Sequence, residues 1–113
     1  MTAKNLLTSA PPYEVEQAIK RLGKDLRTAR LRRNLTIDQV AGKIGTGPRA
    51  VMDAEKGKLS TGIATYAALL WAYDLLGPMN ELADPAKDRE GLTLESLSGR
   101  ERARTSRELD NDF

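Results

Sequence analysis

At 113 residues, with a net charge of +2 and 30% charged and 40% hydrophobic residues, the chain has the makings of one small globular domain with a tail. It contains no cysteine and no histidine, which excludes disulfides, thiolate chemistry, Ser-His triads and Cys/His zinc sites. An enzyme would be left with carboxylates, lysine or tyrosine, and no acidic cluster suggests a metal site, so neither catalysis nor a cofactor is expected.

In chain order, Pro11-Pro12 closes a short polar arm, residues 1–12. Val15, Ala18/Ile19, Leu22, Leu26 and Ala29 then recur at helical spacing, which predicts a helix from about Tyr13 to Arg33 with one buried face. Gly23 weakens that helix by about 1 kcal/mol relative to alanine, a cost that close approach of another helix would justify. Asn34 suits a left-handed stop.

Thr36-Ile37-Asp38-Gln39 reads as a capping box, and Leu35 with Val40 as the matching hydrophobic staple. Both signals start a second helix at the same residue. Val40, Ala41 and Ile44 are its inward positions, and Gly45 ends it. Gly47 as N-cap and Pro48 as first helical residue open a third helix that stops at Gly57. Val51 and Ala54 are its core positions.

Ser60, Thr61 and Gly62 offer caps for a fourth helix, about Ile63 to Leu75, which is apolar almost all round. Such a helix is buried on more than one side, either as the central core helix or against a second subunit. Gly77-Pro78 breaks it, and Met79 to Ala83 suits one more short turn. Residues 84–113 hold few large apolar residues and are expected to be weakly ordered. The domain reading is thus an arm at 1–12, a helical domain at 13–83 and a tail at 84–113, a possible partner-binding segment.

Charge follows the same division. Residues 14–58 hold eleven Lys/Arg against six Asp/Glu, and residues 84–113 hold six against eight. A basic helical half beside an acidic tail is the asymmetry expected of a nucleic-acid module, although a solvated helical surface gives the same counts. No apolar run is long enough to span a bilayer. The N-terminus has too short an apolar core for a signal peptide, so a cytoplasmic protein without a membrane partner is expected.

Two short helices joined by a tight glycine turn require a small residue at the crossing and apolar residues beneath, and Ala41, Gly45, Ile44, Val51 and Ala54 fall in that order. Here the sequence resembles the Cro/C1-type (XRE) helix-turn-helix family, over roughly Leu22 to Leu75. The residues that carry the resemblance are Leu35-Thr36, Gln39-Val40-Ala41, Ile44-Gly45 and Glu55-Lys56-Gly57-Lys58. It implies an all-α, five-helix, lambda-repressor-like DNA-binding domain whose third helix enters the major groove. Carried onto this chain, the base-contacting positions are Pro48, Arg49, Met52 and Asp53.

Arg49 suits a bidentate contact to guanine O6 and N7, and Met52 suits a thymine methyl. Asp53 suits either cytosine N4 or the orientation of Arg49 one turn back. Pro48 and Gly47 depart from the polar residues common in the family. The phosphate-contacting candidates are Arg33, Thr36, Lys43, Thr46, Gly47, Lys56 and Lys58; for each lysine alone, a solvated surface charge is the competing reading. The resemblance also implies a structural ion pair between Arg30 and Glu55. Dimerisation is expected through the fourth helix, at Leu70, Trp71 and Tyr73.

The outer segments Leu7-Thr8-Ser9, Glu14-Val15, Leu82-Ala83-Asp84-Pro85 and Asp88-Arg89-Glu90-Gly91-Leu92 resemble a narrower branch, the HipB-like antitoxins that partner HipA-like serine/threonine kinase toxins. That resemblance implies a nucleoid-associated homodimer that represses its own operon at a palindromic operator on double-stranded DNA and binds a kinase toxin. The alternatives are a stand-alone or phage-type regulator of the same family, and an interaction protein whose helix-turn-helix docks another protein.

Overall fold

Helix α1 (Leu6–Ser9) and the longer α2 (Tyr13–Arg32) are followed by three short helices, α3 (Ile37–Ile44), α4 (Pro48–Glu55) and α5 (Ile63–Ala72). Two 3-10 turns (Gly77–Glu81 and Pro85–Lys87) and α6 (Arg89–Asn111) complete the order in this computed structural model. It describes the backbone of residues 5–111 and the side chains of residues 5–103. The outermost parts of the expected arm and tail, Phe113 included, lie outside the described residues. The architecture is all-α, with no strand among the described residues.

The chain divides at Gly77 into two units, earlier than the expected boundary at residue 83. In the first unit α4 is the hub, packing on α2, α3 and α5, while α3 also packs on α5. The core is Leu26, Ala29, Val40, Ala41, Val51, Ala54, Tyr66, Leu69, Ala72 and Tyr73, flanked by Ile19, Leu22, Leu35, Ile37, Ile44 and Leu70. The expected buried face of α2 therefore begins at Ile19: Val15 and Ala18 are exposed, because the first turns of α2 run past the core.

Four helices end in the same way. Asn34, Gly45, Gly57 and Asp74 all take positive φ. After each of them the next amide reaches back across the last turn: Leu35 to the Arg30 carbonyl, Thr46 to Ala41, Lys58 to Asp53 and Leu75 to Leu70. These bonds satisfy carbonyls that a helix end otherwise leaves open. Asp74 is the stop that shortens α5 to Ala72 rather than the expected Leu75. An aspartate tolerates the left-handed region because its short polar side chain makes little steric conflict there.

The capping box of α3 is present in full. The Gln39 amide donates to Thr36 Oγ1 at 3.1 Å and the Thr36 amide to Gln39 Oε1 at 2.9 Å. Helix α4 opens as expected on Gly47 and Pro48, with no side chain capping it.

Within the expected tail a helix begins at Arg89. The Asp88 carboxylate accepts the Gly91 amide at 2.9 Å and the Asp88 carbonyl the Leu92 amide at 2.9 Å, which starts α6. The Arg-, Glu- and Leu-rich sequence that follows has good helix propensity despite its low apolar content. The expected arm likewise contains α1, capped by the Asn5 side chain.

Tyr73 is 1% exposed, and its hydroxyl has no hydrogen-bond partner among the described residues. Burial raises its pKa above the ordinary 10.0, as it does for Tyr66. An acid whose folded pKa is raised keeps its full stabilising contribution below the unfolded pKa. That contribution is then lost as pH rises above it. Stability should accordingly decline above about pH 10. Tyr73→Phe removes the unpartnered hydroxyl and should raise stability at neutral pH by about 1 kcal/mol. It should also flatten the alkaline decline; urea titrations at pH 7 and pH 10.5 read both effects.

Candidate nucleic-acid interface

Helix α4 is held on three sides, yet one face stays open. Val51 and Ala54 are fully buried, whereas Pro48, Arg49, Met52 and Lys56 are exposed on the opposite side. Its first turn has no side-chain cap, so backbone N–H groups and the positive end of the helix dipole face outward beside Arg49. This combination suits a polyanion.

The pose of α4 is set by a buried ion pair at its last residue. Arg30 Nε donates to Glu55 Oε2 at 2.7 Å and Arg30 Nη2 to Glu55 Oε1 at 3.0 Å, a bidentate fork. Arg30 Nη1 donates to the Leu35 carbonyl at 3.0 Å, which ties in the segment leading to α3. The pair implied by the family resemblance is thus present, and hydrogen bonding to Glu55 raises the Arg30 pKa further, so the guanidinium stays charged.

The expected base-contacting residues lie together. Arg49, with its side chain 83% exposed, approaches Asp53 Oδ1 through Nε at 3.5 Å. Asp53 Oδ2 lies 3.7 Å from Lys58 Nζ. Of the two roles read for Asp53, the arrangement in the free chain is the orientation of Arg49. Met52 lines an open groove of ≈ 270 Å³ with Arg27, Arg30, Ile37, Glu55 and Lys56. Arg27 is a cation the sequence reading did not assign to this face. The available signal was its place one turn before Arg30 on α2.

The expected phosphate contacts divide into two groups. Gly47, Lys56 and Lys58 are exposed around α4, and Thr46 is half-buried in the turn that precedes it. Thr36 opens α3, but its hydroxyl and amide are used within the capping box. Arg33 and Lys43 form the second group, each bonded through its side chain to a carbonyl at the end of α5.

Arg33 donates to the Ala29 carbonyl at 2.9 Å and to the Tyr73 carbonyl at 3.0 Å, with its guanidinium 5.4 Å from the Tyr73 ring centroid. Lys43 Nζ donates to the Ala72 carbonyl at 3.3 Å. Helix α5 has no basic residue in its own last turn, so cations from α2 and α3 complete its carbonyl end instead.

The dimerisation residues also divide. Tyr73 is in the core, so it is unavailable to a second subunit; Leu70 is half-buried, and Trp71 is 56% exposed. Ile63 is exposed at the start of the same helix, and Leu75 just beyond its end. One face of α5 thus serves the core while another is open.

Among the described residues, no cluster of acids gathers to hold a metal, and no helix is long and apolar enough to cross a membrane. No protein-family model, curated protein or solved structure matches the chain.

Proposed function

We propose that this chain is a DNA-binding transcriptional repressor of the Cro/C1 type that reads double-stranded DNA with α4. The observation that supports it most directly is the rigid mounting of α4 by Arg30 and Glu55 behind an open, uncapped first turn that carries Arg49. A helix fixed on three sides while its fourth projects a guanidinium fork has the form of a reader. Thr46, Gly47, Lys56 and Lys58 supply the phosphate contacts, and Arg27 adds a cation beside Met52.

A second copy binds through Trp71 and the neighbouring exposed positions of α5, so that two α4 helices meet half-sites about one helical turn apart. Selection of duplexes from a random pool by the intact chain tests this. A palindrome with half-sites about 10 base pairs apart is expected. An unstructured set of sequences would remove the reading.

Within that reading Arg49→Ala should cost about 1–3 kcal/mol on the selected duplex and relax preference at one position of each half-site. Lys56→Ala should weaken all duplexes alike and reduce the salt slope by about 1. Titrations by fluorescence anisotropy at several salt concentrations separate these two signatures.

The finer role is that of an antitoxin paired with a HipA-like kinase. The second unit offers a feature that fits it: Leu82, Leu92, Leu94 and Leu97 are all exposed there, apolar side chains that a partner could cover. Co-purification with the full chain of a kinase, should one be encoded beside this gene, lost on truncation after residue 83, tests that role. Absence of such a neighbour leaves the stand-alone regulator.

A further inference from the structure

The geometry points to Asp53 as a specificity-determining counter-charge that holds Arg49 in reading position and suppresses binding to non-cognate DNA. The inference rests on the DNA-binding reading above and concerns the same face.

The expected DNA-facing side of α4 carries one carboxylate, which at first sight opposes a phosphate backbone. Asp53 is 22% exposed and lies between two cations, with Arg49 Nε 3.5 Å from one oxygen and Lys58 Nζ 3.7 Å from the other. The two cations are mounted differently. Arg49 is an exposed side chain on the first turn of α4. Lys58 is held by its backbone, because its amide donates to the Asp53 carbonyl at 3.0 Å and its carbonyl accepts the Tyr66 hydroxyl at 3.2 Å. The backbone at Lys58 is therefore fixed beside Asp53, and the carboxylate is shared between the Lys58 ammonium and Arg49.

Two consequences follow from the chemistry. Nε makes the approach to Asp53, and the terminal nitrogens of a guanidinium are donors that can pair with guanine O6 and N7. A guanidinium already oriented loses less freedom when it meets the right base. On a wrong sequence, Arg49 and Lys58 would serve only as phosphate partners, and the carboxylate between them offsets that sequence-independent attraction. Discrimination rises because the non-specific term is held down while the specific one is prepared, a repulsive element acting as part of recognition.

The test compares the intact chain with Asp53→Asn, Arg49→Ala and the double variant. Each is titrated against the duplex selected by the wild-type chain and against a scrambled duplex of equal composition, over a salt series. Asp53→Asn should bind the scrambled duplex about threefold more tightly and steepen its salt slope by about 0.9, the signature of one more phosphate contact. The ratio of selected to scrambled affinity should fall. In the Arg49→Ala background the loss of ratio from Asp53→Asn should largely vanish, a coupling that a merely structural aspartate would not show.

If Asp53→Asn instead weakens only the selected duplex, Asp53 reads a base itself and the inference is overturned. Equal weakening of both duplexes, with a lowered melting temperature, overturns it as well. Should Asp53→Asn not fold, Asp53→Ser takes its place in the same cycle. Failure of the wild-type chain to prefer any duplex is a separate result that removes the DNA-binding reading and this inference with it.

Discussion

Glu55→Ala should lower stability by about 3–5 kcal/mol, a large part of the margin of any small domain. The reason is what the substitution leaves behind. The Arg30 and Glu55 side chains are 9% and 6% exposed, so removing the carboxylate strands a guanidinium in a place water reaches poorly. Two of its three protein hydrogen bonds go with the carboxylate, and the third, to the Leu35 carbonyl, cannot neutralise the charge. Urea unfolding followed by helical circular dichroism measures the effect.

The double variant Arg30→Met/Glu55→Leu should be more stable than Glu55→Ala, since two apolar side chains of similar volume avoid the stranded charge. A loss below 1 kcal/mol for Glu55→Ala would show that the guanidinium finds another partner or reaches solvent. On the proposed DNA-binding function, duplex affinity should fall with stability in the single variant, because the same fork sets the pose of α4. Its partial recovery in the double variant would separate the fold requirement from any direct role of Arg30 near DNA.

What the sequence revealed and what it withheld divide along the range of the interactions. The capping box at Thr36 and the stops at Asn34, Gly45 and Gly57 rest on chemistry between residues at most five apart, and each is present. The fourth stop is of the same kind, but Asp74 lay inside an apolar run that masked it, and α5 was read too long. The internal bonds of Arg33 and Lys43 are invisible in the sequence because a lone cation carries no local sign of its partner. Their partners, the Tyr73 and Ala72 carbonyls, are distant in sequence and meet them only once α2, α3 and α5 have packed.

Tyr73 followed the same pattern: an aromatic on an apolar helix suits an interface as well as a core, and only packing chooses. At the candidate site, the approach of Arg49 to Asp53 was legible as one helical turn. The share of Lys58 was not, because it depends on the reversal at Gly57 that folds the chain back on α4. The start of α6 is legible by another route: low apolar content speaks to burial, whereas this helix draws on propensity and a cap at Asp88.

Gly23→Ala should cost about 1–3 kcal/mol or more, even though alanine is the better helix former by about 1 kcal/mol. The sign is decided by the crossing of α2 with the end of α4. A β-carbon at Gly23 would run into the Ala54 carbonyl oxygen and would lie 2.8 Å from both the Glu55 oxygen and the Gly57 nitrogen. All three obstacles are backbone, so no side-chain rotamer relieves them. The partner surface is equally bare: a β-carbon at Gly57 would lie 2.6 Å from Lys20 Cα and 3.0 Å from the Ile19 oxygen, at a residue that also requires positive φ.

Two glycines therefore let the backbones of α2 and the α4 terminus touch, and the Arg30–Glu55 fork closes the same crossing farther along α2. Forcing the helices apart at Gly23 lengthens or breaks that fork, so the overpacking cost and the ion-pair cost are coupled rather than additive. Thermal unfolding of Gly23→Ala, Glu55→Ala and the double variant reads the coupling: the double variant should lose less than the sum of the two singles. A Gly23→Ala variant that gained the stability expected from helix propensity alone would mean that α2 and α4 lie farther apart than this crossing requires.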